Sequence, residues 1–251
     1  VRDDEGASST ADLKVTVNNV APTIASMTGD TVVDEGAIAN FQATATDPGD
    51  DTLTYTWDFG DGSDVLTGEE ISHVFRQNGS YTVELTVTDD SGASTTQALE
   101  VLVNNVAPVI TDMTEDLEID EGDTASLSAL ATDPGDDNLT YTWDLGNDSK
   151  LEGSSVEQTY LDEGIFAITL TVDDGDGGVA TSTLWITVNN VAPTVSAGED
   201  RVSNEGAAGE FNASFSDPGI LDTHSIIWDF GDGQTVKDTL TPTHIYTDNG
   251  E

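Results

Sequence analysis

The hexapeptide VNNVAP stands three times in this chain, letter for letter, at Val17–Pro22, Val103–Pro108 and Val188–Pro193. Other landmarks keep the same step. Trp57, Trp143 and Trp228 are 86 and 85 residues apart, as are the hexapeptide prolines. DPG begins at Asp47, Asp133 and Asp217, and DEG at Asp34 and Asp120, with NEG at Asn204. Internal repetition constrains architecture more than any other sequence feature. A unit of about 85 residues is far longer than a helical solenoid repeat and suits a small β-sandwich. The landmarks divide the chain into residues 1–20, the final strand of a truncated repeat; 21–106 and 107–191, two complete repeats; and 192–251, a repeat without its last two strands.

Within a repeat the hydrophobic period is two, the mark of half-buried strands. LTYTWDF sets Leu53, Tyr55, Trp57 and Phe59 on one face, and YTVELTV does the same with Tyr81, Val83, Leu85 and Val87. Gly, Asp and Asn clusters punctuate the runs, and no amphipathic helix of useful length is visible. About seven strands with a Trp on a central one predict an all-β chain of tandem immunoglobulin-like sandwiches joined end to end. Strand parity buries Trp57, Trp143 and Trp228.

Charge narrows the function. The 49 Asp and Glu face six Lys and Arg, a formal charge of −43, so more than forty carboxylates have no basic side chain to pair with. Self-repulsion on that scale destabilises a compact state unless counter-ions are present. It excludes nucleic acid and anionic membrane as partners. No apolar run approaches the ~18 residues of a membrane span. There is no cysteine and hence no disulfide. Neither VRDDEGASS at the start nor YTDNGE at the finish has the look of a natural terminus, so the chain reads as a window of a longer protein.

YTWDFGDGS, followed by HVFRQNGSYTVELTVTDDSG, closely resembles the PKD domain, named for the polycystic kidney disease protein. The likeness covers essentially the whole chain. It implies a PKD-type sandwich in an extracellular or cell-surface protein of bacterial type. In that family WDFGDG ends a central strand and the HxF…GxYTVxLxVxD run forms later ones. The third repeat reads WDLGNDS at Trp143–Ser149; losing the final glycine predicts a different turn.

Strand order assigns the loops to ends. The DEG glutamate falls at the bottom of one repeat, DPGDD and TDDSG at the top of the next, and the paired asparagines between them. Ca²⁺ takes six to eight oxygens from carboxylates, amides and carbonyls in irregular geometry, which this set supplies. The absence of Cys and the presence of only His73, His224 and His244 argue against zinc or copper. The arrangement is similar to cadherins, whose asparagine-containing linkers hold calcium between sandwiches, and to calcium-dependent PKD modules of bacterial collagenases. Candidate ligands are Glu35, Asn104, Asn105, Asp133, Asp136 and Asp174 between the second and third repeats. Between the first and second they are Asn18, Asn19, Asp47, Asp50 and Asp89. At the last junction Glu121, Asn189, Asn190 and Asp217 remain, although DPGDD has become DPGIL there.

Against this stands the ordinary use of Asp and Asn as turn residues that bond their own backbone; Asp58 and Asp61 are predicted to cap the WDFGDG turn. No HExxH, GxSxG, P-loop or dinucleotide fingerprint is present, so no enzyme is expected. Two functions remain. One is a calcium-rigidified stalk of a large secreted or cell-surface protein, with neighbouring repeats, or other copies of itself, as partners. The other is an auxiliary module of a secreted hydrolase that contacts extracellular polysaccharide or protein. Trp185 alternates with Leu184 and Ile186 and should point outward, making it the candidate binding residue for the second. His224 shares the parity of Tyr55 and is expected inside.

Overall fold

The computed structural model describes residues 1–49 and 51–250. It divides into two compact units. One holds Val1–Val106 together with Asp133–Asp137; the other holds Ala107–Thr132 and Asn138–Glu251. Among the described residues there is no helix.

In the first unit, β1 (Thr23–Gly29), β2 (Val32–Asp34), β3 (Ile38–Thr46), β4 (Thr54–Asp58), β5 (Leu66–Thr67), β6 (Glu70–Val74), β7 (Gly79–Thr88) and β8 (Ser94–Asn104) follow in order. They form two sheets, β1-β3-β6 and β2-β8-β7-β4-β5. The long β7–β8 hairpin pairs Gly79 with Val103 through to Thr88 with Ser94. Its inward positions Val83, Leu85, Val87, Val101 and Val103 meet Phe41 and Ala43 of the other sheet. Trp57 is 0% exposed, and its indole N–H donates to the Gly68 carbonyl at 2.9 Å. A large apolar ring is thus buried with its polar handle satisfied.

The first strand of the sandwich is split. β1 runs antiparallel to β3, whereas β2, three residues further on, runs parallel to β8 in the opposite sheet. This switch delivers DEG to its place, because Asp34 pairs with Asn104 and the Glu35 N–H then donates to the Asn104 carbonyl at 3.0 Å.

The second unit repeats the pattern. β9 (Val109–Met113), β10 (Leu117–Asp120), β11 (Thr124–Thr132), β12 (Thr140–Asp144), β13 (Lys150–Glu152), β14 (Ser155–Thr159), β15 (Gly164–Asp173) and β16 (Val179–Asn189) give sheets β14-β11-β9 and β10-β16-β15-β12-β13. Trp143 is again 0% exposed and bonds the Gly153 carbonyl at 3.0 Å. The unit continues through β17 (Thr194–Ser196), β18 (Ala208–Glu210), β19 (Ser214–Ser216), β20 (Ile227–Asp229), β21 (Thr235–Lys237) and β22 (Thr243–Ile245), which pair as three two-stranded ladders. Trp228 is only half-buried here, not interior as parity predicts, since among the described residues no counterpart of β7 or β8 follows.

Two further expectations need correction. Residues 1–20 are expected to hold the final strand of a truncated repeat but carry only an isolated bridge between Arg2 and Ser8; Leu13, Val15 and Val17 alternate correctly yet are largely exposed, and a strand needs a neighbouring edge to satisfy its backbone. The WDLGNDS turn keeps the shape of WDFGDG. Asp148 takes a left-handed φ of 64° where Gly62 has 81°, a conformation Asp tolerates. The glycine that cannot be replaced is the earlier one. A Cβ at Gly60 or Gly146 would sit 2.8 Å from the carbonyl oxygen of Thr82 or Ala167, and both keep positive φ.

Candidate metal centres

The DPG sequence makes the same local structure each time. The first Asp bends back to accept the glycine N–H, at 2.7 Å for Asp47–Gly49, 2.8 Å for Asp133–Gly135 and 3.0 Å for Asp217–Gly219. This Asx turn occupies Oδ1 and leaves Oδ2 to face inward. The TDDSG and VDDGDGG loops work alike. Asp89 Oδ1 accepts from Ser91 and Ala93, and Asp174 Oδ1 from Asp176 and Gly178; both aspartates are buried.

Among the described residues three clusters follow, the last made of two groups that share Asp222. In the first unit, Asp47, Asp51 and Asp89 each bring a carboxylate oxygen within 4.8 Å of the others, and the Asn19 amide donates to Asp89 Oδ2 at 2.8 Å. Glu35, Asp133 and Asp137 likewise bring one carboxylate oxygen each within 4.8 Å of one another. Glu35 is 2% exposed; its Oε1 accepts the Val106 N–H at 2.7 Å, and the Asn105 side-chain oxygen is also shielded from solvent. The DEG turn and DPG loop touch so closely that a Cβ on Gly36 would lie 2.5 Å from the Pro134 carbonyl oxygen. In the second unit, Glu121 is likewise 2% exposed and its Oε1 accepts the Val191 N–H at 2.7 Å. It gathers with Asp162, Glu163 and Asp222, while Asp222 also groups with Asp217 and His224.

Buried carboxylate oxygens normally find a hydrogen-bond donor or an ion. Glu35 Oε2, Asp133 Oδ2, Asp47 Oδ2 and Glu121 Oε2 are shielded from solvent and, among the described residues, have no hydrogen-bond partner. Electrostatics carries the same mark. Burial first, and then the neighbouring Asp137 and Asp133 against the opposing Val106 N–H, push the Glu35 carboxyl above its ordinary value. Burial followed by Asp90 and Asp47 does the same to Asp51. Asp89 moves down, chiefly through the Asn19 amide. A hard divalent cation with oxygen ligands fits these donors, and nothing in the set requires a softer ion in the first unit.

Several expected residues stand elsewhere. Asp136 does not join Glu35; its N–H donates to the Arg76 carbonyl at 2.8 Å, its exposed carboxylate faces the Arg76 guanidinium at 3.5 Å, and Asp137 takes its place. Asp50 lies outside the described residues, and Asp51 occupies the corresponding position. The first asparagine of each pair turns toward the adjoining strand, with Asn104 donating to Asp34 at 3.1 Å and Asn189 to Glu118 at 3.2 Å; Asn18 is exposed. The second asparagine is the one at the carboxylates, since Asn190 donates to Asp222 at 3.4 Å as Asn19 does to Asp89. Asp174 belongs to the second unit, in the position that Asp89 holds in the first. Asp162, Glu163 and Asp222 were missed. Asp222 was findable, because DPGIL is followed at once by Asp; the LDEG segment matches RQNG of the previous repeat and gave no signal.

His224 is exposed, not interior, and its Nε2 lies 2.8 Å from Asp217 Oδ2. Asp58 and Asp61 do cap the WDFGDG turn, accepting the Gly60 and Ser63 N–H groups. Trp185 points outward and is 51% exposed.

The profile of one family, the PKD domain, matches residues 19–103, 105–188 and 190–251. The chain belongs to the PKD domain family. Relatives carrying similar PKD sequence include chitinase A of Pseudoalteromonas piscicida, 35% identical over 208 residues, which are 74% of this chain and 25% of that one. Human polycystin-1 is 28% identical over 252 residues, covering 96% of this chain and 6% of its own. The chain thus spans a quarter or less of these relatives. Among solved structures, the PKD1 domain of the Vibrio cholerae metalloprotease PrtV is 34% identical and covers 34% of this chain and 99% of its own, with a TM-score of 0.29. The three matched segments account for almost the whole chain as PKD repeats, and no helix among the described residues is long and apolar enough to cross a membrane.

Proposed function

We propose that these repeats are a calcium-rigidified spacer in a larger secreted or cell-surface protein and have no catalytic role of their own. The observation that carries this reading is the pair of buried, unpartnered oxygens on Glu35 and Asp133, in a cluster whose counterparts recur with the repeat. Glu35, Asp133 and Asp137 would hold one ion, with Asn105 offering a neutral oxygen beside them. Asp47, Asp51 and Asp89 would hold another, with Asn19 alongside. The ion supplies positive charge where three carboxylates crowd. The chain supplies the rest: Val106 orients Glu35, glycine N–H groups orient the DPG aspartates, and Ala-Pro holds each linker extended.

Small-angle scattering with calcium and with chelator tests the mechanical part. The reading expects a shorter, broader distance distribution in chelator with secondary structure unchanged; an identical maximum dimension in both contradicts it.

Trp185 supports a second reading, in which the repeats help a neighbouring enzyme hold a polymeric substrate. An indole this exposed on a β-strand offers a stacking face to a sugar ring. Pulldown on insoluble polysaccharide should then fall in Trp185→Ala, and failure of the parent chain to bind ends this reading.

A further inference from the structure

The third cluster differs in kind from the other two. Among the described residues nothing hydrogen-bonds the buried Oδ2 of Asp47 or of Asp133, but the equivalent atom of Asp217 lies 2.8 Å from an imidazole nitrogen, His224 Nε2. This comes from the altered loop. Where the earlier repeats read DPGDD, this one reads DPGILDTH, which moves the second acid one place on to Asp222 and adds His224 two residues later. Asp217, Asp222 and His224 each present one ligand atom within 4.8 Å of the others.

The trio is well held. Asp217 Oδ1 is fixed by the Gly219 N–H at 3.0 Å. Asp222 Oδ2 receives the Asn190 amide at 3.4 Å. The His224 ring packs on Phe215 with centroids 4.6 Å apart. A separate observation points to an ion. Glu121, 2% exposed, aims the unpartnered Oε2 at the same loop: a Cβ on Gly219 would lie 2.6 Å from that oxygen and 2.9 Å from Asp222 Oδ2. Asp222 is common to both groups of ligands.

We propose that Asp217, Asp222 and His224, backed by Glu121, form a site for a borderline divalent ion of the zinc class, distinct in selectivity from the all-oxygen clusters of the first unit. Imidazole raises affinity for such ions and adds little for calcium, while carboxylates serve both. The inference does not rest on the calcium reading, whose proposed ligands Glu35, Asp133, Asp137, Asp47, Asp51 and Asp89 all lie in the first unit.

Zinc titration of the whole chain in saturating calcium tests the proposal, read by calorimetry and by the ring resonances of the three histidines. One zinc site is expected, with His224 signals shifting while those of His73 and His244 stay put. His224→Gln should weaken zinc binding by more than about tenfold, and His244→Gln and Glu35→Gln should leave it intact. Zinc that moves all three histidines alike, or binds His224→Gln as well as the parent, overturns the proposal. So does an absence of zinc binding. A zinc response in a chain that shows no calcium response upholds this site and removes the calcium reading alone.

Discussion

In the repeat of residues 21–106, the corner beside the central tryptophan holds a His–Asp pair, with His73 Nε2 2.6 Å from Asp61 Oδ2. The imidazole stacks on Phe59 at 3.8 Å between centroids and meets Phe75 edge-on at 4.8 Å. In the repeat of residues 107–191 the same corner holds Asn147, Gln158, Leu145 and Tyr160. The Gln158 amide donates to the Thr159 carbonyl at 2.6 Å, the Asn147 side chain caps Ser149 N–H, and the Tyr160 hydroxyl donates to the Leu145 carbonyl at 3.3 Å. Burial pushes the Tyr160 phenol up to about 12. Both corners close the turn that follows the buried tryptophan, through the Ser63 N–H at Asp61 in one and the Ser149 N–H at Asn147 in the other. The side chains have been exchanged as a set, charged for neutral and aromatic for amide, because half of such a pair left alone would strand a shielded polar group. Between these two repeats the buried indole is the shared part and the corner is the adjustable one.

Truncating the shared part should have the largest effect. Trp57→Ala and Trp143→Ala should each cost about 3–5 kcal/mol, measured by amide hydrogen exchange in β7 and in β15. A loss several-fold smaller in one repeat would break the claim that their cores are equivalent.

The corner comes next. Asp61→Asn should cost about 1–3 kcal/mol in β7, and adding His73→Gln, which installs the third repeat's pair, should recover part of it. No recovery would mean that the two sets are not interchangeable. The charged corner also adds acid sensitivity. Burial alone would raise the Asp61 carboxyl, but hydrogen bonds from the Ser63 side chain and His73 outweigh it and hold the group below its ordinary 3.8. A depressed carboxyl contributes stability above the unfolded-state value and loses it as pH falls through the lower, folded one. Protection in β7 should therefore fall through the range below 3.8 in the parent, and this component should vanish in Asp61→Asn. An unchanged acid profile in that variant contradicts the assignment.

The smallest effect is expected at the surface. Trp185→Ala should move stability by no more than about 0.5 kcal/mol, since its side chain stands outward from β16. A larger loss would show that the indole is part of the structure and not a free contact face.

The sandwich was readable because its signals are periodic and redundant. Trp57, Trp143 and the alternating residues of β7 and β15 stand in step along the chain, and burial on one face enforces that step. The switch of the first strand from β1 to β2 left no such trace, because three residues of β2 carry too little pattern to say which sheet they join. The carboxylate clusters were legible as loops but not as atoms. Asp136 and Asp137 are neighbours of identical chemistry, and only the turn geometry after Gly135 turns one to Arg76 and the other to Glu35. His224 was misplaced for a related reason: the strand in its repeat, β20, begins at Ile227, so parity counted back from Trp228 runs into a loop where it has no meaning.

The central claim is that buried carboxylates such as Glu35 await calcium, and Glu35→Gln addresses it most directly. Melting curves of the parent and the variant should be recorded with calcium and with magnesium-free salt of equal ionic strength. For the parent, calcium at about 100 times its dissociation constant should add about 2.7 kcal/mol per site. Glu35→Gln should melt no lower than the parent without calcium, because it removes a buried charge, and should lose the calcium increment from that site. A parent chain stabilised equally by calcium and by plain salt, or a variant that keeps the whole increment, would contradict the account.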